Sequence, residues 1–125
     1  MSDVRASYDL WGFVLVLIEI GGKTRSAGGA WNTGNREVAP EVPAWVARAG
    51  RALVNHKENF PLFLTAVLVV HLAGRADAIS AAASVVYVVA RAAHGLLYIA
   101  GVPVARTAVW LAGVGATFIV FSQLW

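Results

Sequence analysis

Apolar residues along this chain fall into four runs separated by polar stretches. The first run, 10–20, is interrupted by Glu19, and it reaches a bilayer-spanning length when extended to residues 7–27, since a membrane core needs about 20 residues of helix. An interfacial or re-entrant segment is the alternative for this stretch. The other three predicted spans are 52–74, 78–100 and 106–124. We therefore expect an all-α integral membrane protein with a single domain, 1–125.

The stretches between the runs predict how the helices are connected. Residues 28–43 are rich in Gly, Asn and Pro and form the one long loop that we expect. Pro43 suits the start of a helix, which then continues as one long element, polar first and apolar later, bent near Pro61. Short turns at 74–77 and 101–103 force their flanking helices to be antiparallel. The pattern favours a four-helix bundle with up-down topology.

The composition indicates that lipid is the solvent around these helices. Hydrophobic residues make up 58% of the chain and charged residues only 14%, whereas soluble domains carry about a quarter charged residues. A very apolar soluble helical domain is the alternative, but a chain this small leaves about a third of its surface exposed after folding. The absence of cysteine excludes disulfides, thiolate metal sites and a cysteine nucleophile.

The distribution of charge predicts an orientation in the membrane. The formal net charge of +3 comes from basic residues beside apolar runs, which is typical of membrane-flanking charge and not of a nucleic-acid partner. The positive-inside rule places loop 28–43 in the cytoplasm and both termini outside. Gly-Gly-Lys at 21–23 is not a cleavage site, so we expect the first segment to be retained. The basic residues on the predicted cytoplasmic side are Lys23, Arg25, Arg36, Arg48, Arg51 and Arg106.

A stripe of polar residues lies on the predicted second helix, near the membrane, where the insertion of a charged side chain is energetically unfavourable. Insertion scales put that penalty at roughly 2.5–3.5 kcal/mol for each charge. Arg51, Asn55 and Glu58 are spaced i, i+4 and i+7, so they share one helix face. His56 and Lys57 are expected to point elsewhere.

A second polar stripe lies at matching depth on the third helix. It consists of Arg91, His94 and Tyr98, with Tyr87 one turn earlier. Together with Arg106, the two stripes could form a basic pocket for a small anionic ligand, because arginine binds carboxylates through two parallel hydrogen bonds. Alternatively, Glu58 pairs with Arg91 or Arg51 and ties the helices together. We expect no metal site, because the arginines beside His94 would repel a cation.

Several spaced motifs resemble one known family. Residues 51–63, RALVNHKENFPLF, resemble the second-helix signature of the MAPEG family, the membrane-associated proteins in eicosanoid and glutathione metabolism. Gly-Asn-Arg-Glu at 34–37, followed by prolines and Trp45, is similar to bacterial members. Arg91-x-x-His94-x-x-x-Tyr98 and Pro103-x-x-Arg106 resemble the family's third helix and the turn after it. The likeness covers residues 34–111.

The resemblance implies a homotrimer that binds glutathione between neighbouring subunits on the cytoplasmic side. It also implies that Arg106 and Thr107 act on the glutathione thiol as catalytic residues. The residues that match the family's glutathione ligands are Arg51, Asn55, Glu58, Arg91, His94 and Tyr98.

Two classes of function follow. The first is a glutathione-dependent transferase or peroxidase that acts on lipophilic electrophiles, in which a cluster of cations raises the thiolate fraction of the peptide. The second is a non-catalytic membrane interaction or lipid-binding protein. Val54 and Trp110 favour it, because prostaglandin E synthase-like members carry an arginine and a tyrosine there. A small transporter or channel is a third, weaker hypothesis. Whether the chain is an enzyme stays open at this point.

Overall fold

The computed structural model describes the backbone of residues 2–125 and the side chains from Leu10 onward. All regular elements in this part of the chain are helices, so the all-α prediction is confirmed. Four of the five helices are long, and the remaining one is a short helix between the first two of them. The helices are α1 (Ser2–Ala27), α2 (Gly29–Thr33), α3 (Ala44–Leu72), α4 (Ala78–Ala100) and α5 (Pro103–Ser122).

Helix α1 continues through Glu19 without a break. It has 26 residues, and at 1.5 Å per residue it is about 39 Å long. The charge of Glu19 is neutralised within the helix, because Lys23 Nζ lies 2.6 Å from Glu19 Oε1 one turn later. A re-entrant hairpin would need a reversal of the chain in this segment, and the continuous helix excludes one.

The segment expected to be one long loop is partly helical, which corrects the prediction for residues 28–43. It contains the five-residue helix α2. The Trp31 indole Nε1 donates to the Val38 carbonyl oxygen at 2.8 Å, and this bond folds the chain after α2 back onto it. Arg36 supports the same turn, since its guanidinium donates to the backbone and side-chain oxygens of Asn32.

Helix α3 is one uninterrupted element of 29 residues, as the sequence predicts. Pro61 lies inside it and has no N–H to donate to the preceding turn. Thr65 Oγ1 donates to the Pro61 carbonyl oxygen at 2.7 Å. One face is buried along its whole length at helical spacing, from Val46 to Val70, so other helices cover this face at both ends.

The ends of α4 explain why its predicted bounds, 78–100, agree with the structure. Asp77 caps the first turn by accepting from the Ser80 backbone N–H at 2.8 Å, and Ser80 Oγ accepts from the Asp77 N–H at 2.9 Å. Gly101 ends the helix in the left-handed conformation, with φ of 79°. The predicted fourth span, 106–124, is shifted: α5 begins at Pro103, which occupies the first turn instead of breaking the chain away from a helix.

We expect Asp77→Ala to lower the free energy of unfolding by about 1 kcal/mol, because it removes the cap that satisfies the first turn of α4. Asp77→Asn keeps an acceptor oxygen and should stay close to the parent protein. The measurement is thermal unfolding in detergent, with Glu41→Ala, which removes an exposed acid from an irregular segment, as the control. Equal stability of Asp77→Ala and Glu41→Ala would contradict the capping role.

Contacts between helices show how the long elements are arranged. A Cβ added to Gly12 would meet His56, Glu19 contacts Gly50, and a Cβ on Gly22 would meet Val46. These pairs ascend in α1 and descend in α3, so the two helices run in opposite directions. Arg48 and Asn55 likewise contact Ile99 and Arg91 in reverse order, so α3 and α4 are also antiparallel.

The main hydrophobic core joins α3, α4 and α5. At its centre the rings of Phe63 and Tyr87 are stacked with their centroids 3.8 Å apart. Gly113 on α5 faces Tyr87 and Arg91, and a Cβ added there would lie 3.9 Å from Tyr87 Cδ2 and 3.6 Å from Arg91 Cδ, in ordinary van der Waals contact. The buried members of this core are Phe63, Ala66, Val67, Val70, Ala83, Tyr87, Ala116 and Val120.

The outer surface of the helices is apolar. Helices α4 and α5 are both long and apolar enough to cross a membrane, yet only 39% and 17% of their most apolar windows are buried inside the protein. A core helix of a soluble protein would instead be mostly buried. Large aliphatic and aromatic side chains stand exposed on α1, α4 and α5, including Phe13, Val89 and Phe118. This surface fits contact with lipid.

Candidate functional site

The polar stripes on α3 and α4 meet at Asn55 and Arg91. Arg91 lies on the buried face of α4 and is only 2% exposed. Its Nη2 donates to Asn55 Oδ1 at 2.7 Å. Asn59 supports this amide from one turn away, since its Nδ2 donates to the Asn55 backbone oxygen at 2.8 Å. A buried guanidinium is thus held by a neutral side chain of the neighbouring helix.

Tyr98, near the end of α4, is surrounded by the other cationic residues that the sequence singles out. The guanidinium carbon of Arg106 lies 4.3 Å from the centre of the Tyr98 ring, and that of Arg51 lies 6.0 Å from it. The imidazole of His94 packs edge-on against the same ring, with centroids 5.6 Å apart. Residues of α3, α4 and α5 are therefore brought together around one aromatic ring.

His56 lies beside this cluster on a different face of α3, as the sequence analysis expects, because it faces Gly12 of α1. It is buried, its ring stacks near Phe60, and it lies within electrostatic range of Arg91 and His94. The burial of His56 was not predicted, because the sequence analysis considered only the face occupied by Asn55. The buried positions of α3 continue at helical spacing through 49, 52, 53 and 56, and this spacing is the signal that could have located His56.

Two of the predicted site residues do not join the cluster within one chain. Glu58 is exposed on α3. Thr107 is exposed on α5, and its hydroxyl donates to the Pro103 carbonyl oxygen at 3.0 Å. Among the side chains from Leu10 onward, the only ion pair joins Lys23 and Glu19. The alternative in which Glu58 forms an ion pair with Arg91 or Arg51 is therefore not found within the chain.

The cluster carries positive charge that the described side chains leave unbalanced. Arg91 Nε and His94 Nδ1 are buried without a hydrogen-bond partner among them, and no described carboxylate contacts Arg91. Burying an ion away from water is unfavourable by several kcal/mol unless an opposite charge and hydrogen bonds compensate. An anion reaching this cluster would supply both. The cluster has buried members, Arg91 and His94, and an exposed one, Arg51. We define Arg51, Asn55, Arg91, His94, Tyr98 and Arg106 as the buried cation cluster.

The largest cavity that we describe lies elsewhere. It has a volume of about 670 Å³ and is an open cleft lined by α1, the segment 31–40 and α3. The sequence analysis assigns no role to this space. Its charged lining residues are Glu19, Lys23, Arg36, Glu37 and Lys57.

Fold and site together define an all-helical membrane protein with a buried arginine held by an asparagine amide between its helices. The comparison with known families gives the particular one. Residues 10–124 match the MAPEG family, and the chain belongs to it. No curated protein and no solved structure shows a significant match to the chain. The match extends the likeness seen in the sequence to most of α1 and to the whole of α5.

Proposed function

We propose that this protein binds glutathione at the buried cation cluster and uses its thiol against lipophilic electrophiles, as a membrane-embedded transferase or peroxidase. The single observation that carries the proposal is Arg91, a buried guanidinium with no carboxylate beside it among the described side chains. Membership of the MAPEG family, whose members include glutathione enzymes, supports the same ligand. Glutathione is a peptide with two carboxylates, one ammonium group and a thiol.

The charges of the chain fit those groups one by one. Arg91 and Arg106 can bind carboxylates, and Asn55 can donate through its amide nitrogen while its oxygen holds Arg91. Glu58 suits the ammonium group. Bound glutathione supplies a sulfur nucleophile, and nearby guanidinium groups favour its thiolate form. We assign that role to Arg106 and Thr107 at the start of α5.

The exposed positions of Glu58 and Thr107 fit a site that a neighbouring subunit completes, and the family resemblance supports a homotrimer as the functional form. Within one chain both side chains lie outside the buried cation cluster. A site between neighbouring subunits would let one protomer offer its exposed residues to the cluster of the next. We therefore propose that the glutathione site is completed by a second copy of the chain.

The membrane arrangement that we propose follows from the same helices. Helices α1, α3, α4 and α5 form an up-down four-helix bundle in a bacterial inner membrane, with the segment containing α2 in the cytoplasm. The density of Lys and Arg near this side supports the orientation. The apolar outer surface lets a lipophilic substrate approach through the bilayer while the peptide enters from water.

A non-catalytic membrane interaction or lipid-binding protein is the second candidate function. Val54 favours it, because this exposed apolar side chain stands where prostaglandin E synthase-like members carry an arginine. Trp110, where they carry a tyrosine, has its indole N–H buried without a partner among the described residues. A site altered at these positions could keep the fold and lose the chemistry.

Titration calorimetry of glutathione into the purified protein tests the proposal, together with conjugation of 1-chloro-2,4-dinitrobenzene. We expect binding that weakens about tenfold in Arg51→Ala, because a charge-assisted hydrogen bond contributes about 1.5 kcal/mol. Arg75→Ala removes an equal charge at the opposite end of α3 and should bind as the parent does.

The outcomes separate the two functions. Absence of binding heat in the parent protein would remove the glutathione hypothesis. Binding without conjugation or peroxidase activity would favour the non-catalytic candidate. If Arg51→Ala bound glutathione normally and only lowered the stability of the oligomer, Arg51 would be structural.

A further inference from the structure

A groove between α1 and α3 consists of two cavities that share three lining residues, Val16, Leu53 and Lys57. The first is the cavity of about 670 Å³ described above, and the second has a volume of about 320 Å³. We call the two together the α1–α3 groove. Its lining includes none of Arg91, Tyr98 and Arg106, so it is separate from most of the buried cation cluster.

The larger cavity is charged, and its charges do not cancel. Lys23 is bound to Glu19 at 2.6 Å, so this pair is neutral overall. Arg36 and Glu37 contribute one charge of each sign. The remaining cation is Lys57, which is exposed at the junction of the two cavities. The cavity as a whole therefore favours a polar group with one net negative charge at Lys57.

The smaller cavity is apolar and faces outward. Beyond the shared residues it is lined by Gly12, Phe13, His56 and Phe60. Phe13 is 68% exposed, so this end of the groove lies at the outer surface of the bundle rather than in its core. A hydrocarbon chain lying there would cover the exposed apolar side chain of Phe13.

The order of the two cavities along α3 matches the order of groups in a membrane lipid. Lys57 lies about 6 Å before Pro61 along the helix axis, where the polar half of α3 gives way to its apolar half. Basic pockets between membrane helices on the cytoplasmic side bind lipid headgroups in this way. Both cavities contact Leu53 and Lys57 of α3, and only the apolar cavity reaches Phe60. On α1 the apolar cavity is lined by residues 12, 13 and 16 and the charged cavity by residues 16, 19, 20 and 23.

We propose that the α1–α3 groove binds a phospholipid of the surrounding membrane. The phosphate lies at Lys57, the rest of the headgroup occupies the charged cavity, and one acyl chain lies along Phe13 and Phe60. A bilayer is the source of this ligand, because the apolar end opens to the lipid-facing surface. The inference is independent of glutathione binding.

Photolabelling in lipid tests the proposal. The protein is reconstituted in phosphatidylcholine nanodiscs that contain phosphatidylglycerol with a photoactivatable acyl chain, and the labelled peptides are mapped by mass spectrometry. We expect labelling to concentrate in residues 12–16 and 53–60. Unlabelled phosphatidylglycerol should compete about fivefold better than phosphatidylcholine, since one basic group near the membrane contributes about that factor.

Two variants with matched controls locate the ligand. Lys57→Gln should lower the labelling of 12–16 and 53–60 about fivefold, whereas Arg75→Gln, which loses the same charge outside the groove, should not. Val16→Trp fills the junction and should reduce labelling by a similar factor. Val14→Trp is its control, because Val14 and Val16 are 41% and 39% exposed and Val14 lies outside both cavities.

Several results would overturn the proposal. Labelling spread evenly over the outer faces of α4 and α5 would indicate unspecific lipid contact. Unchanged labelling in Lys57→Gln would show that the phosphate does not lie at Lys57. Unchanged labelling in Val16→Trp would show that the acyl chain does not occupy the groove. Equal competition by a fatty acid or by inorganic phosphate would exclude a phospholipid as the specific ligand. Glutathione titration of the same variants, expected to be unchanged, monitors the other site.

Discussion

Asn55→Ala should destabilise the ligand-free protein by about 3 kcal/mol. It removes the hydrogen bond that holds Arg91 and leaves a guanidinium buried without that acceptor. Losing the partner of a buried charged group is more costly than losing an ordinary hydrogen bond, because the charge keeps its desolvation penalty. Thermal or denaturant unfolding in a mild detergent measures the change. Asn35→Ala, in an exposed segment, is the control and should be neutral.

The same pair predicts an opposite result when the charge itself is removed. Arg91→Met should leave stability unchanged or raise it, because an apolar side chain of similar length needs no counter-charge. The double variant Asn55→Ala/Arg91→Met should then regain most of the stability lost in Asn55→Ala. If Arg91→Met were as unstable as Asn55→Ala, the guanidinium would be structural, and the argument for an anionic ligand would fail.

The affinity of the same variant for glutathione tests whether Arg91 has a role in binding. We expect Arg91→Met to fold and to bind glutathione far more weakly than the parent does. If Arg91→Met is at least as stable as the parent protein and binds glutathione weakly, the charge of Arg91 serves ligand binding and not stability. The comparison of stability with affinity in one variant therefore separates a site residue from a helix-pairing residue.

The elements that the sequence predicted well are those with strong local signals. Asp77 and Gly101 mark both ends of α4, and Pro43 precedes α3 directly. The start of α5 was misplaced because Pro103 was interpreted as a breaker, although its fixed φ suits a first helical turn. Helix α2 was missed because five residues carry no periodic pattern, and contacts such as Trp31 with Val38 fold that segment.

The proximity of the two polar stripes was predicted where spacing along one helix decides which residues share a face. The i, i+4 spacing of Arg51 and Asn55 put both residues on the side of α3 that faces α4. The burial of His56 was missed because two helices cover α3. A second face of α3, toward Gly12 of α1, is therefore buried as well. A single sequence shows the period of a helix and not the number of its neighbours. For the same reason it could not predict that Glu58 is exposed.

Two adjacent glycines of α1 provide the sharpest test of its packing against α3. We expect Gly22→Ala to destabilise the protein by about 2–3 kcal/mol, as overpacking does in well-packed interiors. An added Cβ would lie 2.6 Å from Val46 Cγ2 and 2.8 Å from Cγ1. Val46 is fully buried and branched at Cβ, so its side chain has little freedom to rotate away.

Gly21→Ala is the matched control, and its effect should have the opposite sign. A Cβ there meets nothing within 4 Å, and alanine is favoured over glycine inside a helix by up to about 1 kcal/mol. In detergent, the free energy of unfolding should therefore be lower than that of the parent protein in Gly22→Ala and higher in Gly21→Ala. If both substitutions stabilised it, α1 would not pack closely on α3, and the groove between them would lose one of its walls. The helical propensity changes equally in the two substitutions. Opposite changes in the free energy of unfolding at these neighbouring positions would therefore arise from tertiary contact.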